Sequence, residues 1–515
     1  MHPRSETIVI VVLTLAVFVS GVSVALTLLE GIPHVSDAIA YAFQAKIFAS
    51  GQITLPPPPL PELFEQGHVI VTGSTWSGKY PPGWPLLLAA GYLIAAPWII
   101  NPLLTALSVI LVWRVGRELF DVPTGIVAAV ILSLSPAFVL MSGDQMAHPA
   151  ALTFSLATLL AIVRADAGGK TATAALAGLL AGVTCLIRPY SGLTLLWPAF
   201  VWLLWRRREA KKRLITAAVV VAAALPALAV YLGFNAYVFG NPLEAGYNLS
   251  NPSDGLNSFS LQATLGNIPL WWERLNQRMW GWPWPDLLIF LPLLIRRPGR
   301  GRDLMLGACA VSLVAAHAPY FFFDIIYGIA RYAFEALGPL AILAARSLLT
   351  LKSVVDRMIA RWPGRGPRFA GAVAIGVVAI ATAFFPLART VRQEIPYYRQ
   401  HYHGITSVAV DAAKAAGVGE KALIFVDGPG YHYGSYFLEN ALNPSAGGRV
   451  WVRDLEALHD AARETFSRPE VWRLHVDLAS VRGPNVYAEA FTIRELRWER
   501  LAAGPLNKTT DAGEK

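Results

Sequence analysis

Cysteine is nearly missing from this 515-residue chain: there are two, Cys185 and Cys309, both inside apolar runs. That excludes a disulfide scaffold and leaves the redox compartment unread. Charge is scarce too, at 15% of residues against about 25% in a soluble globular protein. The first apolar run has no small-residue cleavage site after it, which reads against a removed signal peptide. No internal repeat stands out, which weakly disfavours a transporter built from repeats. A glycine-rich nucleotide loop is lacking as well.

What the chain has instead is long apolar runs. Hydrophobic residues make up 55% of it, and they cluster near 7–29, 98–113, 124–141, 149–163, 171–187, 190–205, 214–236, 284–295, 304–323, 332–350 and 369–388. A run of about 18 marks a membrane span, so a single soluble domain and a disordered chain are both excluded. The expectation is an all-α polytopic membrane protein with about 11 transmembrane helices, the run at 284–295 being the shortest. Residues 84–96 are apolar for only 13 positions and meet Pro97 and Pro102. They read as interfacial or partly inserted.

The net charge of +9 invites a nucleic-acid reading, but its distribution does not fit one. Of 43 Lys and Arg, 21 fall in alternate loops that begin with Arg4, six fall in the opposite loops, and 16 lie beyond residue 388. The base-rich side is cytoplasmic. The charge is a topology signal and no nucleic-acid partner is expected. Eleven crossings from an inner N-terminus put the C-terminal segment outside. The domains expected are therefore 1–390 in the lipid bilayer, with an outer loop at 30–84, and 391–515 as a small extracytoplasmic α/β domain. In the latter, helices are read at 405–416 and 455–466 and strands at 422–426, 450–453 and 471–476. The site is the cytoplasmic (inner) membrane.

The outer loops carry the ionisable residues. In the first, Ser36 can cap a helix with Asp37 in its first turn. His34, Asp37 and Tyr41 are then spaced by three and four, close to one face. The plain reading is an acid at a helix N-terminus, where the dipole favours it. The functional one is a reactive carboxylate at the outer surface, just after the first span. Next, the run from Trp76 to Pro85 holds three prolines and two glycines, with Lys79 and Tyr80 at its lip. It is either a proline-marked helix start with interfacial aromatics or a rigid loop that offers Lys79 to a phosphate. The second outer loop is short and brings Asp144 and His148 to the bilayer edge, where ionisable groups tend to face a cavity. Asp–His pairs can bind metals, but two ligands make no site, so a divalent metal stays open.

Arg188 sits between two spans on the outer side, close to Tyr190. Asp324, Tyr327, Arg331 and Tyr332 lie where another span begins. An arginine there needs an anionic partner. Glu335, four residues on, is one candidate. A phosphate, which suits the guanidinium fork, is the other. Trp271, Trp272, Trp280, Trp282 and Trp284 read as an interfacial aromatic belt, with sugar stacking as the alternative.

The order of these features resembles the GT-C polytopic glycosyltransferases, in the bacterial branch similar to protein O-mannosyltransferases and aminoarabinose transferases. An early Asp follows the first span, then a Lys-Tyr-Pro-Pro-Gly-Trp-Pro turn, a short acidic second loop, and a late Arg-Tyr opening a helix. The resemblance covers about residues 5 to 350. It implies transfer of a sugar from a polyprenyl-phosphate donor to a lipid, glycan or protein acceptor on the outer face, with inversion. Asp37 then matches the catalytic acid of the first loop and Asp144 that of the second. Lys79 and Arg331 match basic groups near the donor phosphate. Where many members carry paired acids in the first loop, Ala38 follows Asp37 here, which argues against a two-carboxylate or metal-bridged scheme. No cofactor is required.

The implied chemistry is a single displacement with Asp37 as base, and with Arg331 and Lys79 or Arg188 on the leaving phosphate. His34, Tyr41, Tyr80, His148 and Tyr332 complete the candidate binding set. The competing reading is a transporter or flippase for a lipid-linked or small solute. That needs charge near mid-bilayer, whereas the ionisable residues here gather at the outer edge.

Overall fold

The computed structural model describes residues 3–168, 170–250, 259–275, 279–281, 286–295, 299–320, 325–326, 329–360, 384–385, 387–389, 392, 404–428, 430–482 and 489–502. Most of the run read at 369–388 lies outside them, as do Asp324, Tyr327, Trp282 and Trp284.

Helices dominate. In chain order they are α1 (Pro3–Ser23), α2 (Ser36–Ala49), α3 (Gly83–Leu93), α4 (Ile100–Leu119), α5 (Val122–Ser133), α6 (Pro136–Met141), α7 (His148–Gly168), α8 (Thr171–Ile187), α9 (Pro189–Arg206), α10 (Ala210–Phe239), α11 (Gly246–Ser250), α12 (Leu261–Arg274), α13 (Leu291–Leu294), α14 (Arg300–His317) and α15 (Leu337–Ala360). Between α2 and α3 lies a hairpin, β1 (Val69–Thr72) with β2 (Thr75–Gly78). A two-residue pair, β3 (Ile325–Ile326) with β4 (Ile329–Ala330), precedes Arg331. Five helical stretches among the described residues are long and apolar enough to cross a membrane: Arg4–Leu28, Pro97–Leu119, His148–Gly168, Ala210–Phe239 and Arg331–Ala360. The protein is a polytopic, mostly helical membrane protein.

Two apolar runs do not form single helices. The run at 124–141 breaks at Ser135, whose side chain accepts from the Phe138 N–H at 3.3 Å and starts α6. Pro136 fits that first helical position and disfavours helix in the residue before it. In the run at 284–295, a 3₁₀ turn (Asp286–Phe290) meets the single turn α13. Ile289 and Pro292 face the packed interior, whereas Leu287, Leu288 and Leu294 are exposed. Ser135 Oγ donates to the Met279 carbonyl at 2.6 Å and Ser347 Oγ to that of Ile289 at 3.0 Å. Non-helical backbone at membrane depth needs such partners, because lipid supplies none. Trp271 and Trp280 are buried in the helical core rather than spread along a rim.

The C-terminal unit is a four-stranded sheet in the order β6-β5-β7-β8, formed by β5 (Ala422–Asp427), β6 (Val450–Arg453), β7 (Glu470–Arg482) and β8 (Glu489–Leu501). β5 runs parallel to β6 and β7, and β8 is antiparallel to β7. Its helices are α16 (Val408–Ala415), α17 (Gly434–Phe437) and α18 (His459–Phe466).

This unit shares a core with the first loop. α2 lies between two apolar clusters. Ala38, Tyr41, Ala42 and Ala45 pack with the membrane helices, whereas Ile39, Phe43 and Ile47 pack with Phe425, Phe437 and Trp451. Polar ties reinforce the docking. The Glu30 carboxylate accepts from the Ser407 N–H at 2.8 Å and Thr406 Oγ1 at 3.0 Å, at the start of α16. Lys46 Nζ donates to the Leu438 carbonyl at 2.6 Å. The C-terminal sheet is therefore on the same side as the loop that carries Asp37.

Candidate active site

Asp37 lies in the first turn of α2. The N-cap there is Val35, with no side-chain cap, so Ser36 does not have the capping role expected of it. His34 donates from Nε2 to the Leu29 carbonyl at 3.0 Å, closing the end of the first span. Its ring is thus spent on the chain that leads into α2.

Four groups converge on Asp37. The Tyr80 hydroxyl donates to Oδ1 at 2.5 Å and Arg331 Nη1 lies 3.5 Å from the same oxygen. His68 Nε2 is 3.7 Å from Oδ2. Lys79 adds its charge from the same turn as Tyr80. Burial alone would raise the pKa of Asp37. The Arg331 guanidinium, His68, the Tyr80 hydrogen bond and Lys79 outweigh it and hold the carboxyl well below the usual carboxylate range. Burial and the neighbouring carboxylate push the Tyr80 phenol well up, so it stays a donor.

The walls are aromatic. Tyr41 stacks on Tyr80 at 4.3 Å between centroids, and Tyr247 meets Tyr80 edge-on at 5.5 Å. Lys79 Nζ is 5.3 Å from the Tyr247 ring and 5.4 Å from that of Tyr80, within cation–π range. Gly246 makes this possible, since a Cβ there would come within 2.3 Å of the Lys79 carbonyl. Arg331 lies 5.3 Å from the Tyr332 ring, which stacks on His317.

Arg331 and Glu335 do not pair as an i,i+4 couple, and the reason is local. Residues Arg331–Ala336 form a 3₁₀ helix. At three residues per turn, the fourth residue on points away. Glu335 turns instead to Arg188 Nε and His148 Nδ1, each at 3.0 Å from its Oε1. His148 and Glu335 are fully enclosed.

Asp144 is buried in a pinned loop. Asn101 Nδ2 donates to the Asp144 carbonyl and, at 2.9 Å, to that of Met146. Trp84 Nε1 holds the Gln145 carbonyl at 2.9 Å, and Gln145 Nε2 reaches the Gly31 carbonyl at 3.1 Å. Among the described residues no three His, Cys, Asp or Glu side chains are grouped to hold a metal ion.

Residues 79–231 match the family model described as dolichyl-phosphate-mannose-protein mannosyltransferase. No curated protein sequence matches the chain. Among solved structures, ArnT from Cupriavidus metallidurans bound to undecaprenyl phosphate is similar, with a TM-score of 0.56 at 12% identity, over 95% of this chain and 98% of ArnT. That likeness is one of fold. The fold is also similar to that of the arabinofuranosyltransferase AftD from Mycobacteria, with a TM-score of 0.50 and 16% identity over 88% of this chain, which spans 33% of AftD.

Two members of this candidate site carried no signal in the sequence. His68 follows Gly67 in a loop with no periodic pattern, and Tyr247 lies 167 positions beyond its ring partner Tyr80. Only the folded chain brings them to Asp37.

Proposed function

We propose that the protein transfers a sugar from a polyprenyl-phosphate donor to an acceptor hydroxyl on the outer face of the cytoplasmic membrane, inverting the anomeric carbon. The observation that carries this is the half-buried Asp37 carboxylate, set against Arg331 and Tyr80 beside Lys79. Asp37 takes the acceptor's proton, a role worth about 10²- to 10⁴-fold. Arg331 and Lys79 meet the leaving phosphate, since fixed cations aimed at developing charge need no reorganisation during reaction. The prenyl chain stays among the apolar helices while the sugar sits under the aromatic wall of Tyr41, Tyr80 and Tyr247. Asp144 backs the site from the second loop. Arg188 and His148, both held by Glu335, frame Arg331.

The arrangement belongs to a transmembrane part, 1–390, of about eleven crossings, and an outer unit, 391–515, that closes over α2. The charge bias supports the inner membrane and an outer C-terminus, and the docking of the sheet on the Asp37 loop supports a shared side. No step described here needs a metal, and a divalent ion remains an open addition. The test is to incubate purified protein with a panel of polyprenyl-phosphate sugars and measure release of polyprenyl phosphate. No release with any donor, together with solute movement in vesicles, would replace this reading by a transporter. Cysteine labelling at position 505 from the outer side tests the topology, and labelling only after the membrane is opened overturns it.

A further inference from the structure

The proton taken by Asp37 needs somewhere to go. Arg331, Tyr80 and Lys79 disfavour the protonated form of this carboxylate, so Asp37 passes a proton on readily. Arg331 and Tyr80 both sit on Oδ1. The other oxygen, Oδ2, faces His68.

His68 is set apart in two ways. Its side chain is 32% exposed against 17% for Asp37, so it lies on the solvent side of the more enclosed carboxylate. Its φ is +68°, a left-handed conformation that non-glycine residues rarely adopt. The strain is held where the hairpin begins, by the Lys79 N–H donating to the His68 carbonyl at 3.0 Å. Backbone strain of this kind gathers at functional sites, and here it aims an imidazole at Asp37.

We propose that His68 is the proton acceptor behind Asp37, carrying the acceptor's proton from the site to water. The proposal rests on Asp37 being the base. In the displacement, the acceptor oxygen forms its bond to the anomeric carbon as the bond from that carbon to the phosphate oxygen breaks. The electron pair leaves with the polyprenyl phosphate, and the acceptor's proton moves to Asp37 Oδ2. Neutral His68, as the Nδ1–H tautomer, receives it on Nε2. The imidazolium then releases its Nδ1 proton to water, and exchange with water moves the remaining ring proton from Nε2 back to Nδ1, which restores both groups for the next turnover. The 3.7 Å separation suits a pair that closes only when Asp37 carries a proton, since catalytic hydrogen bonds often tighten in the reacting complex.

The charged and titratable groups facing this pair come from four elements. Asp37 and Tyr41 are on α2, and Lys79 and Tyr80 on the proline turn. Arg331 is on its 3₁₀ helix and Tyr247 on α11. Asp37 favours the imidazolium, whereas Arg331 and Lys79 oppose it.

The test is a pH profile of polyprenyl phosphate release, with the full-length protein and a donor that turns over, for wild type and His68→Gly. Glycine adopts a φ of +68° without strain, so this variant keeps the loop. Wild-type kcat/KM should fall on the acid side, because an imidazolium at His68 cannot take the proton. His68→Gly should lose that limb, turn over about 10²-fold more slowly at the upper end, and keep its donor KM. Added imidazole should restore the rate saturably, which a packing role would not allow. An unchanged rate and profile in His68→Gly overturns the proposal, and so does a loss that imidazole leaves unrepaired. Asp37→Asn, run alongside, separates the two readings. Turnover in that variant removes the base itself, whereas a dead Asp37→Asn beside a normal His68→Gly removes the relay alone.

Discussion

The end of the bundle that carries α2 holds two carboxylates that each have an arginine and a histidine, and they differ in access. Asp37 has Arg331 at 3.5 Å and His68 at 3.7 Å, with the histidine one-third exposed. Glu335 has Arg188 and His148 at 3.0 Å each, and both Glu335 and His148 are sealed. The composition is the same and the spacing is not. Close, enclosed contacts suit a frame, because a buried pair that loses one partner leaves an uncompensated charge. Longer contacts on an open flank suit groups that exchange partners during a reaction. The two sets meet at the 3₁₀ helix from Arg331 to Ala336, which sends its arginine to one carboxylate and its glutamate to the other set. The helical part thus has a fixed half and a working half.

The sharpest way to break this contrast is Asp37→Asn. It should cut transfer about 10²- to 10⁴-fold while leaving the fold and donor binding in place. Release assays and donor titration check both halves of that statement. Near-normal turnover would move the base to Asp144.

Glu335→Ala should do the reverse. It strands Arg188 and His148 in the enclosed set, at a cost of about 3–5 kcal/mol in stability. Thermal unfolding in detergent is the measurement. A variant that unfolds as wild type does, yet no longer binds donor, would move Glu335 and its partners into the working half.

Arg331→Ala discriminates more finely. If the arginine leaves Asp37 for the donor phosphate, its loss costs about 1.5–3 kcal/mol of binding, a drop of roughly 10- to 150-fold in donor affinity. Stability should change less than in Glu335→Ala. Equal donor affinity in wild type and Arg331→Ala would make the arginine a structural partner of Asp37 and leave Lys79 as the phosphate ligand.

How much of this was legible beforehand depends on range. Asp37, Lys79, Tyr80 and Arg331 announced themselves because ionisable residues near the ends of apolar runs are costly without a purpose. The pairing was not legible. The rule of four residues would join Arg331 to Glu335, but it holds only in an α-helix, and no apolar pattern marks residues 331–336 as 3₁₀. The irregular backbone at 286–295 was hidden for the same reason: its support at Ile289 comes from Ser347, distant in sequence. β8 escaped notice because its apolar residues, Ile493, Leu496 and Trp498, shift phase, and its pairing with β7 carries a bulge at Asp477/Leu478. The two faces of α2 were written in plain view, as alanines at 38, 42 and 45 and large residues at 39, 43 and 47. Only the position of the C-terminal sheet says what the second face is for.

That second face gives the smallest effect, and it reaches the working half from outside. Glu30 has a φ of +52° and spends its carboxylate on Thr406 and the Ser407 N–H, where an anion meets the positive end of α16. Glu30 leads through Gly31 and His34 into α2, so this contact ties the C-terminal unit to the helix that carries Asp37. Glu30→Gln keeps the size and removes the charge, at a cost of about 0.3–1 kcal/mol. Hydrogen exchange should rise at residues 408–415 first, because the cap of that helix is weakened. Donor affinity should hold, since Arg331 and Lys79 are untouched. Turnover should fall by no more than a few fold, as Asp37 samples a looser position against Tyr80. If exchange rises at 408–415 while turnover stays constant, the sheet is carried by α2 without steering it, and Asp37 is positioned from the membrane side alone.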